Sequence, residues 1–162
     1  MLEPIVGMLV DSALLESELQ PETQPAPRNI PLTQKKTTHA GVLIVDDEAL
    51  VRWSLAEMLS EQGYAVFEAG DGKGALATLR NPPNPVEVIM LDYRLPDLNG
   101  LQLLAAIRGV SPHSRVVMMT AYGTPDIAAA ALRLGAVCFV NKPIEMRDVV
   151  DLVVRARETG TH

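Results

Sequence analysis

The chain has 162 residues, of which 48% are hydrophobic and 21% are charged, so it is long and apolar enough for one domain and is not wholly disordered. Its net charge of −6 and its 4% aromatic content argue against direct nucleic-acid binding through a basic field or a base-stacking surface. The single cysteine excludes an internal disulfide, and the absence of a secretory signal and of any apolar run of about 20 residues predicts a cytoplasmic protein without membrane insertion.

The first forty residues differ in composition from the rest of the chain. Four prolines fall within residues 21–31, a density that neither a helix nor a central strand tolerates, so residues 21–39 are predicted to be an extended linker. Apolar residues ahead of the linker have the spacing of one face of a short helix, which would be marginal alone. We therefore predict an N-terminal extension over residues 1–40. Its first part is either a flexible tail without regular structure or a helix for docking or dimerisation.

From residue 41 onward, apolar runs alternate with segments that have helical spacing. The predicted strands are residues 42–45, 64–68, 86–91, 116–119 and 136–140. The helix after the third strand is expected to end at Gly109, and the next helix to have Thr124 as its N-cap, Pro125 at its first position and Gly135 at its end. Cys138 on the last strand is predicted to be a buried core thiol. This alternation predicts a doubly wound α/β fold, with five parallel strands and helices on both faces of the sheet.

Polar side chains follow four of the five predicted strands, at the edge of the sheet where such folds bind ligands. They comprise three carboxylates, one hydroxyl and one ammonium, belonging to Asp46, Asp47, Asp92, Thr120 and Lys142. Each residue alone is most simply a turn or surface residue, but four strand ends rarely acquire matched polar groups by chance. Carboxylate oxygens suit Mg²⁺, and a carboxylate beside that ion can attack phosphorus. Because Mg²⁺, the ammonium and the hydroxyl can each neutralise one phosphoryl oxygen, the set predicts a phosphoryl-accepting site.

Four ordered segments also carry a family resemblance. They are LIVDDE at 43–48, VIMLDYRLPDLNG at 88–100, VVMMTAYG at 116–123 and FVNKPI at 139–144. Over residues 41–157 the chain resembles the receiver domain of bacterial two-component response regulators. The resemblance implies a flavodoxin-like sheet with strand order 2-1-3-4-5. It also implies a receiver domain over residues 41–158, followed by a short tail over residues 159–162.

The resemblance implies a role for each residue of the predicted site. Asp92 is expected to be the phosphoacceptor. Mg²⁺ is expected to be bound directly by the carboxylates of Asp47 and Asp92 and by the main-chain carbonyl of Arg94. Asp46 is expected to bind it mainly through water. Thr120 and Lys142 are expected to hold the phosphoryl group, and Phe139 occupies the switch position that is often tyrosine in the family. The bond between Lys142 and Pro143 is expected to be cis.

The implied function is a phosphorylation-dependent switch. A histidine kinase or phosphotransfer protein would supply the phosphoryl group, and the domain would catalyse only its own phosphoryl transfer and dephosphorylation. Phosphorylation would change the conformation of one face of the domain, which would then bind a downstream protein effector or a second copy. This face is built from residues 125–134, the last strand and residues 144–157. Arg94 and Tyr122 flank the approach of water in this family. We hypothesise that their bulk slows dephosphorylation, the alternative being two exposed side chains without a kinetic role.

Three other functions fit the sequence less well. A haloacid-dehalogenase-type phosphohydrolase normally has an aspartate two residues after its first-strand nucleophile, but here Glu48 stands two residues after Asp46. A P-loop kinase or GTPase is excluded by the absence of a GxxxxGK[ST] stretch. A degenerate receiver that binds partners without phosphorylation is disfavoured by the complete acidic set. The sequence fits either a single-domain regulator or part of a protein with an output domain.

Overall fold

The computed structural model describes residues 40–159, in which five strands alternate with five helices. The strands are β1 (Gly41–Val45), β2 (Ala65–Ala69), β3 (Val86–Asp92), β4 (Arg115–Thr120) and β5 (Cys138–Asn141). The helices are α1 (Ala49–Glu61), α2 (Gly72–Arg80), α3 (Gly100–Val110), α4 (Pro125–Arg133) and α5 (Met146–Glu158). The predicted N-terminal helix, the linker and most of the predicted tail lie outside the described residues.

The five strands form one parallel sheet in the order β2-β1-β3-β4-β5, which confirms the predicted fold. The order reverses between β1 and β3, because the chain passes from β1 to β2 on one side before it crosses to β3 on the other. Val45 at the end of β1 lies opposite Leu91, so the residues that follow both strands emerge side by side. A ligand crevice is expected at this point of a doubly wound sheet.

The hydrophobic core consists of two layers, one on each face of the sheet. In β1, Leu43 and Val45 pack in the layer covered by α2, α3 and α4, whereas Val42 and Ile44 pack in the layer covered by α1 and α5. All four side chains are fully buried. This is why the strand sequence is continuously apolar: consecutive side chains point to opposite faces, and both faces are covered. None of the described helices is long and apolar enough to cross a membrane.

The helix-end predictions are confirmed at α4 and wrong at α3. Thr124 Oγ1 accepts a hydrogen bond from the N–H of Ile127 at 3.3 Å, and Gly135 adopts a left-handed φ of 99° just after the helix. Gly109, however, lies inside α3, which continues to Val110 and has Ser111 as its C-cap. Ser111 precedes a proline, which disfavours helical backbone at that position, so the proline and not the glycine sets the end of the helix.

Cys138 is only partly buried, which corrects the prediction of a buried core thiol. It lies on β5, the edge strand of the sheet, where the side chains from Cys138 to Val140 are all partly accessible. An edge strand has a neighbour on one side only, so its residues are less completely covered than those of β1 or β3.

Candidate functional site

The ends of β1 and β3 bring three carboxylates together. One oxygen from each of Asp46, Asp47 and Asp92 lies within 4.8 Å of the other two. Asp46 is fully buried and Asp92 is 5% exposed, whereas Asp47 is open to solvent. Among the described residues, this is the one cluster of acidic, histidine or cysteine side chains close enough to share a metal ion. A set of oxygen donors with one open side fits a hard cation such as Mg²⁺, which retains several waters.

The ammonium of Lys142 enters the same cluster from the end of β5. Its Nζ donates to Asp46 Oδ2 at 2.5 Å and lies 3.4 Å from Asp92 Oδ2. Burial acts to lower the pKa of Lys142, but the hydrogen bond and the charge of Asp46, together with Asp92, outweigh it and raise that pKa. The lysine is therefore a fixed positive charge, set against three carboxylates.

The negative charge of Asp92 is incompletely compensated. Its pKa is raised, first because the side chain is buried and second because the carboxylate of Asp46 is near, although Lys142 acts in the opposite direction. Within residues 40–159, Asp92 Oδ1 accepts one hydrogen bond, a long one of 3.4 Å from the N–H of Arg94. A buried carboxylate in this condition has a strong electrostatic preference for an additional cation.

Backbone and side-chain contacts fix Asp46 at the end of β1. Its Oδ1 accepts from the N–H of Glu48 at 2.9 Å, and its own N–H donates to Ala69 O at 3.1 Å. Arg52 on α1 donates to the carbonyl of Asp46 at 2.7 Å and forms an ion pair with Glu68 at 3.5 Å. Neither Arg52 nor any residue at the end of β2 was predicted from the sequence to take part in the site. The sequence does contain a signal for Arg52: it lies one helical turn after the acidic residue Glu48, and the predicted end of β2 carries the oppositely charged Glu68.

The hydroxyl of Thr120 lies at the end of β4 and is almost completely buried. Its Oγ1 accepts from the N–H of Tyr122 at 3.2 Å. A Cβ at Gly123 would lie 2.7 Å from two ring atoms of Phe139 and 2.8 Å from Thr120 Cγ2. Only glycine therefore lets the β4–α4 loop approach both side chains without displacing them, a requirement that the sequence analysis did not identify.

The side chains of Arg94 and Tyr122 are in contact with each other beside the site. The guanidinium carbon of Arg94 lies 4.8 Å from the centroid of the Tyr122 ring, a cation–π contact between the β3–α3 and β4–α4 loops. Both side chains are exposed. On the other side of the site, Lys142 N donates to Thr120 O at 2.7 Å, and the bond between Lys142 and Pro143 is cis, the isomer that the resemblance implies.

The structure places the predicted site residues at the carboxyl edge of the sheet, except Phe139, which lies within β5. Lys142 pairs with Asp46 and Asp92, and Asp47 has a carboxylate oxygen within 4.8 Å of theirs, while Thr120 and Phe139 both lie against Gly123 of the β4–α4 loop. The arrangement combines a carboxylate of raised pKa, a fixed ammonium and a set of oxygen donors. Such a site can bind a divalent cation and stabilise the charge of a phosphoryl group during transfer.

Comparison with protein families gives a match to the model described as the response regulator receiver domain, over residues 42–154. Sporulation initiation phosphotransferase F of Bacillus subtilis is 32% identical over 114 residues, which cover 69% of this chain and 89% of that protein. Response regulator protein FleR of Pseudomonas aeruginosa is 36% identical over 116 residues, which cover 72% of this chain but only 24% of that protein. Some similar proteins are thus much longer than the matched region.

Solved structures show the same likeness. A CheY-like response regulator receiver domain protein from Methanospirillum hungatei has a TM-score of 0.70 at 26% identity, and the match covers 75% of this chain and 95% of that one. The receiver domain of NtrX from Brucella abortus has a TM-score of 0.67 at 34% identity, with 74% and 99% covered. Both agree with the sheet order described above.

Proposed function

The chain belongs to the response regulator receiver domain family of two-component systems, and we propose that it is a phosphorylation-dependent switch whose phosphoacceptor is Asp92. One observation carries the proposal. The Asp92 carboxylate is buried at the end of β3, within 4.8 Å of two further carboxylates and 3.4 Å from the Lys142 ammonium. A buried cluster of like charges is costly to the fold, and a site for Mg²⁺ and a phosphoryl group accounts for its presence.

In the proposed transfer, an oxygen of Asp92 forms a bond to phosphorus while the phosphorus–nitrogen bond of the donor phosphohistidine breaks. The imidazole leaves with the electron pair, and the product is an acyl phosphate on Asp92. Mg²⁺ would be held by Asp46, Asp47 and Asp92 with the Arg94 carbonyl, and would supply positive charge to the phosphoryl oxygens. Lys142 neutralises a second oxygen, and the Thr120 hydroxyl donates to a third.

The same contacts support a route from the phosphoryl group to the surface. Donation by Thr120 to a phosphoryl oxygen would move its side chain, and Thr120 and Phe139 already pack against the same glycine, Gly123. We propose that this movement shifts Phe139 and the face formed by α4, β5 and α5. Phosphorylation drives the change only through its different interaction energy with the two conformations.

Receiver domains interact with histidine kinases and often with downstream effector domains. For this chain we propose a cytoplasmic phosphodonor, either a sensor kinase or a phosphotransfer protein, and a protein effector or second copy on the α4-β5-α5 face. A cavity of about 450 Å³ opens beside Lys142 and is lined in part by Leu50, Ile144 and Met146. The chain would catalyse only its own phosphorylation and dephosphorylation.

The lifetime of the phosphoryl group is proposed to depend on Arg94 and Tyr122. Their cation–π contact joins the loop that follows Asp92 to the neighbouring β4–α4 loop, so the pair would restrict the approach of an attacking water. Replacing both residues with alanine should shorten the lifetime of the phosphorylated form, measured by the decay of the phosphorylated mass. An unchanged lifetime would mean that the two side chains have no kinetic role.

Intact mass spectrometry after incubation with acetyl phosphate and Mg²⁺ tests the proposed function directly. We expect one added phosphoryl group on the wild-type chain and none on Asp92→Asn. Asp126→Asn is the matched control, because Asp126 is an exposed carboxylate in the first turn of α4. An adduct that persists in Asp92→Asn would assign the acceptor elsewhere. No adduct from acetyl phosphate or from a kinase would leave a module that binds partners without phosphorylation.

A further inference from the structure

The loop of residues 93–99 connects the proposed phosphoacceptor to α3, and it contains the Arg94 carbonyl that is proposed to bind Mg²⁺. Both ends of this loop are held by local contacts. The N–H of Gly100 donates to Tyr93 O at 2.7 Å. Arg94 forms an antiparallel β-bridge with Asn99, and Asn99 is also the N-cap of α3. These contacts close the base of the loop, but they do not attach its tip to the rest of the domain.

Asp97 attaches the tip of the loop to α2. Its Oδ1 accepts from the N–H of Gly72 at 2.8 Å, and its Oδ2 accepts from the N–H of Lys73 at 2.9 Å. The first N–H groups of a helix have no partner within the helix, so a carboxylate is well placed there. The helix already has its own cap, because Asp71 accepts from the N–H of Gly74 at 2.6 Å. The contact from Asp97 is therefore additional to ordinary capping and joins two separate parts of the chain.

A packing contact reinforces this attachment. A Cβ at Gly72 would lie 2.9 Å from Leu98 Cδ1, so the backbone of α2 and the next side chain of the loop are already in close contact. Asp97 Oδ1 also accepts from the N–H of Leu98 at 3.0 Å. The hydrogen bonds from Gly72 and Lys73 lower the pKa of Asp97, which keeps it as the charged acceptor.

We propose that Asp97 is a positioning residue for the Mg²⁺ site: by attaching the loop to α2, it holds the Arg94 carbonyl in place before the ion binds. This inference rests on the proposed function. The position of a main-chain carbonyl depends on the conformation of the loop that contains it. Arg94 lies three residues from Asp97, where the loop is attached to α2. Groups that orient metal ligands in this way contribute to affinity without touching the metal.

A Mg²⁺ titration of the unphosphorylated chain, followed by amide chemical shifts, tests this role without measuring phosphorylation. Asp97→Ala should weaken Mg²⁺ binding by about 10-fold, the smaller of the losses in metal affinity expected when a residue that orients a metal ligand is replaced. Asp97→Asn should lie between Asp97→Ala and the wild type, because its amide oxygen can still accept from Gly72. Asp71→Ala is the matched control: it removes a cap from the same helix end but leaves the loop attached.

We expect Asp71→Ala to lower the melting temperature and to leave the Mg²⁺ affinity unchanged. Equal Mg²⁺ affinity in the wild type, Asp97→Ala and Asp71→Ala would overturn the inference, because Asp97 would then be only a second cap of α2. If Asp97→Ala does not fold, Asp97→Asn decides between these outcomes. A wild-type chain without any Mg²⁺-dependent shift would refute the proposed function, and the inference with it.

Discussion

The two ends of the sheet bury polar groups in opposite ways. At the amino end, the Ser114 hydroxyl is 1% exposed, donates to Val86 O at 2.7 Å and lies 2.6 Å from Ser111 Oγ. These groups are neutral and have their partners within the chain. At the carboxyl end, three carboxylates cluster, the Lys142 ammonium pairs with those of Asp46 and Asp92, and Asp92 has a raised pKa.

The difference separates polar groups that stabilise the fold from polar groups that serve a ligand. Burying a hydroxyl with its partner costs little, because the hydrogen bond replaces the one lost to water. Burying carboxylates together is unfavourable, because their charges repel and are poorly solvated. An unbalanced charge is therefore a better sign of a binding site here than burial alone. Substitutions at the two ends should affect different measurements.

Asp47→Asn should have the largest effect and should act on Mg²⁺ binding alone. Asp47 is the exposed member of the carboxylate cluster, so losing its charge removes a proposed ligand without disturbing the core. We expect Mg²⁺ affinity to fall by about 100-fold, or about 2.7 kcal/mol, while the free energy of unfolding without Mg²⁺ stays the same. Isothermal titration with Mg²⁺ and urea unfolding without it measure the two quantities. A large loss of stability with intact binding would remove the distinction between the two ends.

Ser114→Ala should give the reverse pattern. The substitution leaves the carbonyl of Val86 without its 2.7 Å hydrogen bond inside the core. We expect the free energy of unfolding to fall by about 1–2 kcal/mol, the cost of an unsatisfied buried acceptor. Mg²⁺ affinity and phosphorylation by acetyl phosphate should not change. Impaired phosphorylation in a folded Ser114→Ala chain would show that the two ends are coupled.

Asp92→Asn should stabilise the fold near neutral pH in the absence of Mg²⁺. Because the folded state raises the pKa of Asp92, chiefly through burial, ionisation of this carboxyl costs stability. The wild type should lose that stability as the pH rises from the ordinary aspartate value of 3.8 to the raised pKa of the folded state, whereas the variant should not. We expect a gain of about 1 kcal/mol, within the range of known stabilising substitutions, in urea unfolding at pH 7. The gain should vanish well below the ordinary pKa, and its persistence there would exclude the carboxyl charge as the cause.

Glu87→Gln should have the smallest effect. Glu87 is the exposed residue near the start of β3, and its ion pair with Arg157 of α5 has a 2.9 Å contact. Both side chains are open to solvent, where such pairs contribute little. We expect a loss of about 0.3 kcal/mol, reduced further by salt, with Mg²⁺ binding unchanged. A loss as large as that of Ser114→Ala would mean that exposed charge matters as much as buried hydrogen bonds at the amino end.

Much of the fold could be predicted because its signals are local. The apolar run of β1 and the capping pair Thr124 and Pro125 act within a few residues of themselves. The carboxylates at the strand ends could also be placed, since parallel strands put their carboxyl ends at one edge. The end of α3 was misplaced because a glycine is tolerated near a helix end, whereas the following proline restricts the backbone before it.

The succession of strands and helices, and the residue types that reach the carboxyl edge of the sheet, follow from local patterns in the sequence. The side chains that support that edge become visible only in the folded chain: Arg52 on the carbonyl of Asp46, Phe139 against Gly123, and Asp97 on the first turn of α2. The physical reason is distance along the chain. Periodicity and capping act over a few residues, but Asp97 and Gly72 lie 25 positions apart, and their contact exists only once the sheet has set two loops side by side.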